Sequence, residues 1–95
     1  MANRVVVPIC GEDYTFVAEE SAAYMQKVGA YVSDKMAEIL DSSKAGRTDA
    51  AVLTAANIAD ELFKAQAAAE QLRSQIKGYL DAAGKAQSEV SALKR

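Results

Sequence analysis

The chain has 95 residues, with 11 Lys and Arg against 13 Asp and Glu, no histidine and one cysteine, which allows one domain or a small head on a long stalk. A net charge of −2 with scattered cations leaves no basic footprint for nucleic acid. The missing histidine removes Ser-His-Asp and Cys-His machinery and the commonest zinc ligand.

Asn3–Ile9 (NRVVVPI) is rich in β-branched side chains, and Tyr14–Val17 (YTFV) is a second short strand candidate. Cys10-Gly11-Glu12-Asp13 lies between them, with Gly11 available for positive φ in a tight reversal. The pair reads as a β-hairpin over 3–17. Pro8 cannot donate a ladder hydrogen bond, so its nitrogen should face outward on an edge strand or sit at a bulge. A two-stranded hairpin is marginal alone; it needs a helix on one face, and a second hairpin from a sister chain would help.

The period then changes from 2 to 3.6. Met25, Val28, Val32, Met36, Ile39 and Leu40 form a stripe that predicts helix 1 from about Glu19 to Leu40, with Glu19 and Glu20 complementing its positive end. Tyr24 and Tyr31 lie seven apart on a neighbouring face, where internal packing is the primary expectation and a partner contact the alternative. A polar loop over 41–48 (DSSKAGRT) completes a head at 1–48. A head of roughly 50 residues is near the lower limit for a self-sufficient core, so partner chains are expected to contribute.

Residues 49–95 read as one long helix, capped by Thr48 or Asp49. Taken to about Lys94, it would be roughly 69 Å long at 1.5 Å per residue. A heptad seam runs through it: Ala51, Ala55, Ile58, Leu62, Ala65, Ala69, Leu72, Ile76, Tyr79, Ala83, Ala86, Val90 and Leu93, with no charged side chain. So narrow a stripe must meet another helix, which points to an oligomerising coiled coil. Ile58, Leu62, Leu72, Ile76, Tyr79, Val90 and Leu93 are the expected interface. A second apolar face, Val52, Ala56, Ala59 and Phe63, is expected to pack on helix 1 and the hairpin. Gly78 and Gly84 each cost roughly 1 kcal/mol relative to alanine, so the distal helix should depend on pairing. Parallel and antiparallel pairing both remain open.

Chemistry is sparse. No phosphate loop, nucleophile motif or metal-spaced cluster appears, and no catalytic residue, cofactor or metal ligand is expected. Cys10 reads as a reduced thiol near a turn. Asp60 and Glu61 are neighbours on a helix and diverge by about 100°, which suits a solvated face rather than acid–base work. Lys44 and Arg47 flank the loop and could grip an acidic partner. No run approaches the roughly 20 apolar residues that cross a bilayer. Val5 to Ile9, interrupted by Pro8, is too short for the core of an export signal, so a soluble cytosolic protein is expected.

Three ordered stretches carry a resemblance. Val7-Pro8-Ile9-Cys10-Gly11-Glu12-Asp13-Tyr14-Thr15-Phe16 resembles the V-x-I-x-G-x-x-Y-x-[IVF] hairpin of the Z-ring-associated protein ZapA family. Val28 to Lys35 (VGAYVSDK) is similar to that family's helix 1, and Ala55-Ala56-Asn57-Ile58-Ala59-Asp60-Glu61-Leu62 to the A-x-N-I-A-D-E-L core of its long helix. The resemblance implies an α+β head followed by a coiled-coil stalk. It also implies a non-enzymatic bacterial division protein that binds the tubulin-like GTPase FtsZ and cross-links its filaments at midcell, as a homodimer that pairs into a tetramer. A generic coiled-coil adaptor is the alternative. Some relatives carry arginines in the hairpin that grip the acidic filament; the corresponding positions here are Glu12 and Thr15. Arg47 is then the best-placed head cation, with Lys44 beside it.

Overall fold

The computed structural model describes residues 2–93. The element order is β1 (Asn3–Ile9), β2 (Glu12–Ala18), α1 (Ala22–Ser42) and α2 (Arg47–Leu93), an α+β arrangement. Two compact units divide the chain at 58/59, so the first unit takes in the opening turns of α2.

β1 and β2 pair antiparallel from Asn3↔Ala18 to Ile9↔Glu12. The connection is only Cys10-Gly11, shorter than the four residues the sequence suggested. Both have positive φ, 49° and 83°, the type I′ geometry whose twist matches a two-residue hairpin. Gly11 adopts it freely, whereas Cys10 must be held there. A two-residue loop makes Ile9↔Glu12 a hydrogen-bonded pair, so Pro8↔Asp13 and Val6↔Thr15 fall in the alternate, non-bonded sites. The nitrogen of Pro8 therefore faces outward, as its missing N–H demands.

Val5 and Val7 are buried, with Phe16 and Tyr14 opposite them on the same sheet face, and α1 packs there against β1. The contact face of α1 carries Gln26, Gly29, Ser33 and Met36, at helical spacing. Gln26 Nε2 donates to the outward carbonyl of Val6 at 2.8 Å, and Met36 is buried. At Gly29 the backbones approach so closely that an added Cβ would sit 1.9 Å from Val7 Cγ1. That approach turns the helix. Val28 lies toward solvent, while Met25, Val32, Ile39 and Leu40 are half-buried. Tyr24 and Tyr31 are 52% and 45% exposed, so internal packing does not account for them.

α1 starts at Ala22 rather than Glu19, because Ser21 is the N-cap and its Oγ accepts from Tyr24 N at 3.1 Å. Glu19 and Glu20 precede the cap, and no acidic residue occupies the first turn. At the other end, the Ser42 and Ser43 hydroxyls donate to the Glu38 and Ile39 carbonyls, each at 2.7 Å. α2 begins at Arg47, earlier than expected: Gly46 O accepts from Ala50 N at 2.9 Å. Thr48 and Asp49 are therefore first-turn residues and not caps, although the carboxylate of Asp49 still complements the helix dipole.

The head-facing side of α2 also differs from expectation. Ala50 and Thr54 are buried and Ile58 is half-buried. Val52 is 64% exposed and Ala56 is exposed too, whereas the other two expected residues, Ala59 and Phe63, belong to the second unit. Positions two apart on a helix point roughly 200° from each other, so a side that buries Ala50 and Thr54 turns Val52 and Ala56 outward. The Thr54 hydroxyl has no hydrogen-bond partner. Thr54→Val is nearly isosteric and removes that buried, unpaired oxygen, so it should raise unfolding stability by about 1 kcal/mol, read from a urea titration.

In the second unit α2 continues without interruption to Leu93; the expected last residue, Lys94, lies outside the described residues. Leu62, Leu72, Ile76, Tyr79, Val90 and Leu93 are all exposed in the single chain. Asp60–Lys64 at 2.8 Å and Glu70–Arg73 at 3.3 Å form ion pairs along this helix, which help keep it solvated but cover none of the seam. No helix among the described residues is long and apolar enough to cross a membrane.

Candidate partner-binding site

The hairpin turn is tethered to both helices. Ser33, on α1, accepts from the Cys10 backbone N–H through Oγ at 2.7 Å, and the Ser33 carbonyl accepts from the Cys10 thiol at 3.5 Å. These contacts hold a non-glycine residue in the left-handed region, which otherwise costs about 1–2 kcal/mol. From the other side, Arg47 donates to the Cys10 carbonyl through Nη1 and to the Ile9 carbonyl through Nη2, both at 2.9 Å.

Arg47 also reaches the Tyr14 hydroxyl at 3.4 Å and Glu12 Oε2 at 3.6 Å, while Tyr14 donates to the same Glu12 oxygen at 3.1 Å. The hydrogen bond to Tyr14, with the charge of Glu12 behind it, raises the guanidinium pKa above its ordinary value. Arg47 therefore straps the start of α2 to the turn, an inward role that its loop position did not reveal. Its strap partner Glu12 is one of the hairpin positions where the resemblance led us to look for a cation. Lys44 lies exposed on the connector, three residues away.

Beside this cluster an open, largely apolar groove is lined by Ile9, Phe16, Val32, Met36 and Ala51, with Glu12, Tyr14 and Arg47 at its polar end. It brings β2, α1 and the first turn of α2 together. Ser33, Tyr14 and Gln26 escaped sequence reasoning because tethers of this kind have no spacing signature. Gly29 did offer a signal: an isolated glycine inside a helical pattern often marks a close approach. Among the described residues no His, Cys, Asp and Glu cluster could hold a metal ion.

The family model described as Cell division protein ZapA matches residues 5–95. The chain belongs to the ZapA family of cell division proteins. It is 47% identical over 82 residues to a Cell division protein ZapA from Geobacillus kaustophilus (strain HTA426), covering 83% of this chain and 88% of that relative. To the protein of the same name from Bacillus subtilis (strain 168) it is 40% identical over 81 residues, covering 79% and 89%. Among solved structures it is similar to a ZapA mutant dimer from Geobacillus stearothermophilus, with a TM-score of 0.66 and 41% identity, covering 81% of this chain and 91% of that one. A dimeric neighbour within the family supports self-association.

Proposed function

We propose that this ZapA family member binds FtsZ and cross-links and stabilises its filaments at the midcell division site, in the cytoplasm and without catalysis. The observation that carries the reading is the charge-free seam from Leu62 to Leu93, exposed on a single chain of a family of cell division proteins. Paired seams join heads into one object. A multivalent object holds filaments at high effective concentration, so each head can bind weakly. The decisive measurement is co-sedimentation with FtsZ and GTP. More pelleted, bundled filament supports the reading, and an unchanged pellet leaves a coiled-coil adaptor for some other protein.

We infer that the head contact uses the hairpin turn and connector, where Arg47 borders the apolar groove and Lys44 is an exposed cation three residues before it. Lys44 is the freer cation, because Arg47 is already bonded to Ile9, Cys10 and Tyr14. Lys44→Glu should lower bundling several-fold with an unchanged Tm. Arg47→Glu should lower bundling and also reduce Tm by about 5 °C, since it loses the strap and faces Glu12. Bundling by the unaltered protein should fall as salt rises, because exposed charges are screened over about 8 Å at physiological ionic strength. Salt-insensitive bundling, with full activity in Lys44→Glu, would remove charge from the contact.

A further inference from the structure

The two edges of the hairpin sheet differ. In antiparallel pairing the non-bonded sites turn their N–H and C=O groups away from the partner strand. β1 therefore presents Arg4, Val6 and Pro8 outward, and β2 presents Asp13, Thr15 and Val17. The β1 edge is closed: Pro8 has no N–H to offer, and the Val6 carbonyl accepts from Gln26 of α1. The β2 edge has no such cover. Its seven residues contain no proline, and no side chain among the described residues bonds to the outward groups of Thr15 and Val17. Native sheets blunt an exposed edge with proline, lysine or a covering element, and Tyr14-Thr15-Phe16-Val17 carries neither of those residues.

Charge says what fits there. Residues 12–20 (EDYTFVAEE) hold four carboxylates and no cation. Glu12 is engaged by Arg47 and Tyr14, whereas Asp13 and Glu20 stand exposed on either side of the apolar middle. Arg4, the one cation within the two strands, belongs to β1, a strand away from this edge. The middle offers apolar contact on both faces. Val17 is 67% exposed on the outer face, and Tyr14 and Phe16 line the groove on the other.

We propose that the β2 edge receives an extended basic segment of another protein as a third strand. Its β-branched residues lie along residues 14–17, and its lysine or arginine side chains face Asp13 and Glu20. Strand addition takes affinity from main-chain hydrogen bonds and selectivity from alternate side chains. A second copy of this chain fits poorly, because its β2 would set the same acidic stretch against itself, and like charges across strands are destabilising. The surface is separate from the connector contact and does not rest on FtsZ binding, so failure of FtsZ co-sedimentation leaves it standing.

The probe is a short peptide alternating lysine and valine, acetylated and amidated, titrated into the isotope-labelled full chain and followed by amide exchange in NMR. The Thr15 and Val17 amides should exchange about tenfold more slowly when the peptide stands at ten times its Kd. A peptide with glutamate in place of lysine should have no effect, and neither should the lysine peptide with every peptide nitrogen methylated, which keeps the charge and removes the donors. Asp13→Lys, a change at an exposed side chain, should weaken binding of the lysine peptide several-fold. No slowing at Thr15 and Val17, or equal slowing by the methylated peptide, overturns strand addition. Equal binding of the glutamate peptide, or unchanged affinity in Asp13→Lys, overturns the basic occupant. Thr15 and Val17 amides that are already slow before peptide is added also overturn the proposal, since the edge is then covered by another copy.

Discussion

Gly29→Ala is expected to loosen the hairpin from α1 and sharply lower the stability of the head. The new methyl would lie 1.9 Å from Val7 Cγ1, far inside van der Waals contact. Val7 is 1% exposed and stiff at χ1, so it cannot swing aside freely. Overpacking of this kind costs typically about 1–3 kcal/mol, against roughly 1 kcal/mol gained from alanine's helix propensity. Gly29→Val adds bulk and loses that gain, so it should leave the hairpin largely detached. Val7→Ala in the Gly29→Ala background should restore part of the loss, because the added methyl occupies space the valine vacates. Three of the four tyrosines lie in the head and the chain has no tryptophan, so urea titration followed by tyrosine emission reads the effect. Additive losses in the double variant would show that the close approach is not the cause.

Ile76→Glu is expected to split stalk-mediated assembly while the head stays folded. Ile76 lies in the middle of the seam with no charged seam neighbour, and half of its surface is exposed in the single chain. Pairing would bury a carboxylate there without a partner, at a cost of several kcal/mol; about 3 kcal/mol already weakens association more than 100-fold. The head should be indifferent, since its buried residues Val5, Val7, Met36, Ala50 and Thr54 all precede residue 59. Light scattering should find the unaltered protein dimeric or larger at micromolar concentration and the variant smaller. A variant of unchanged mass would mean that the pairing surface lies elsewhere on α2.

The elements were legible in the sequence because each has its own local signal. β-branched residues flanking Cys10-Gly11 marked the hairpin. A 3.6-residue stripe from Met25 to Leu40 marked α1, and seven-residue spacing from Ala51 to Leu93 marked α2. Such periodicities are properties of the chain and survive without tertiary contacts. The motif order around Gly11-x-x-Tyr14 and Asn57-Ile58-Ala59-Asp60 also pointed to the family that the comparisons establish. Boundaries were less legible, since Ser21 and Gly46 became the helix starts through backbone bonds that competing polar neighbours could equally have made.

By itself, then, the sequence determined the α+β order, a charge-free seam along α2, and the family. Only the tertiary structure decided which side of each helix meets the head. Gly29 lets α1 close on Val7, and that approach sets the rotation of α1 and turns Tyr24, Val28 and Tyr31 outward. Burial of Ala50 and Thr54 sets the rotation of the first turns of α2 and turns Val52 and Ala56 outward. It also decided that Arg47 holds the hairpin turn, because a guanidinium in a polar loop takes whichever acceptors the fold brings within reach, here the carbonyls of Ile9 and Cys10. Helical periodicity says that an apolar face exists. What covers it depends on distances between elements far apart in the chain, and those arise only when the chain is packed.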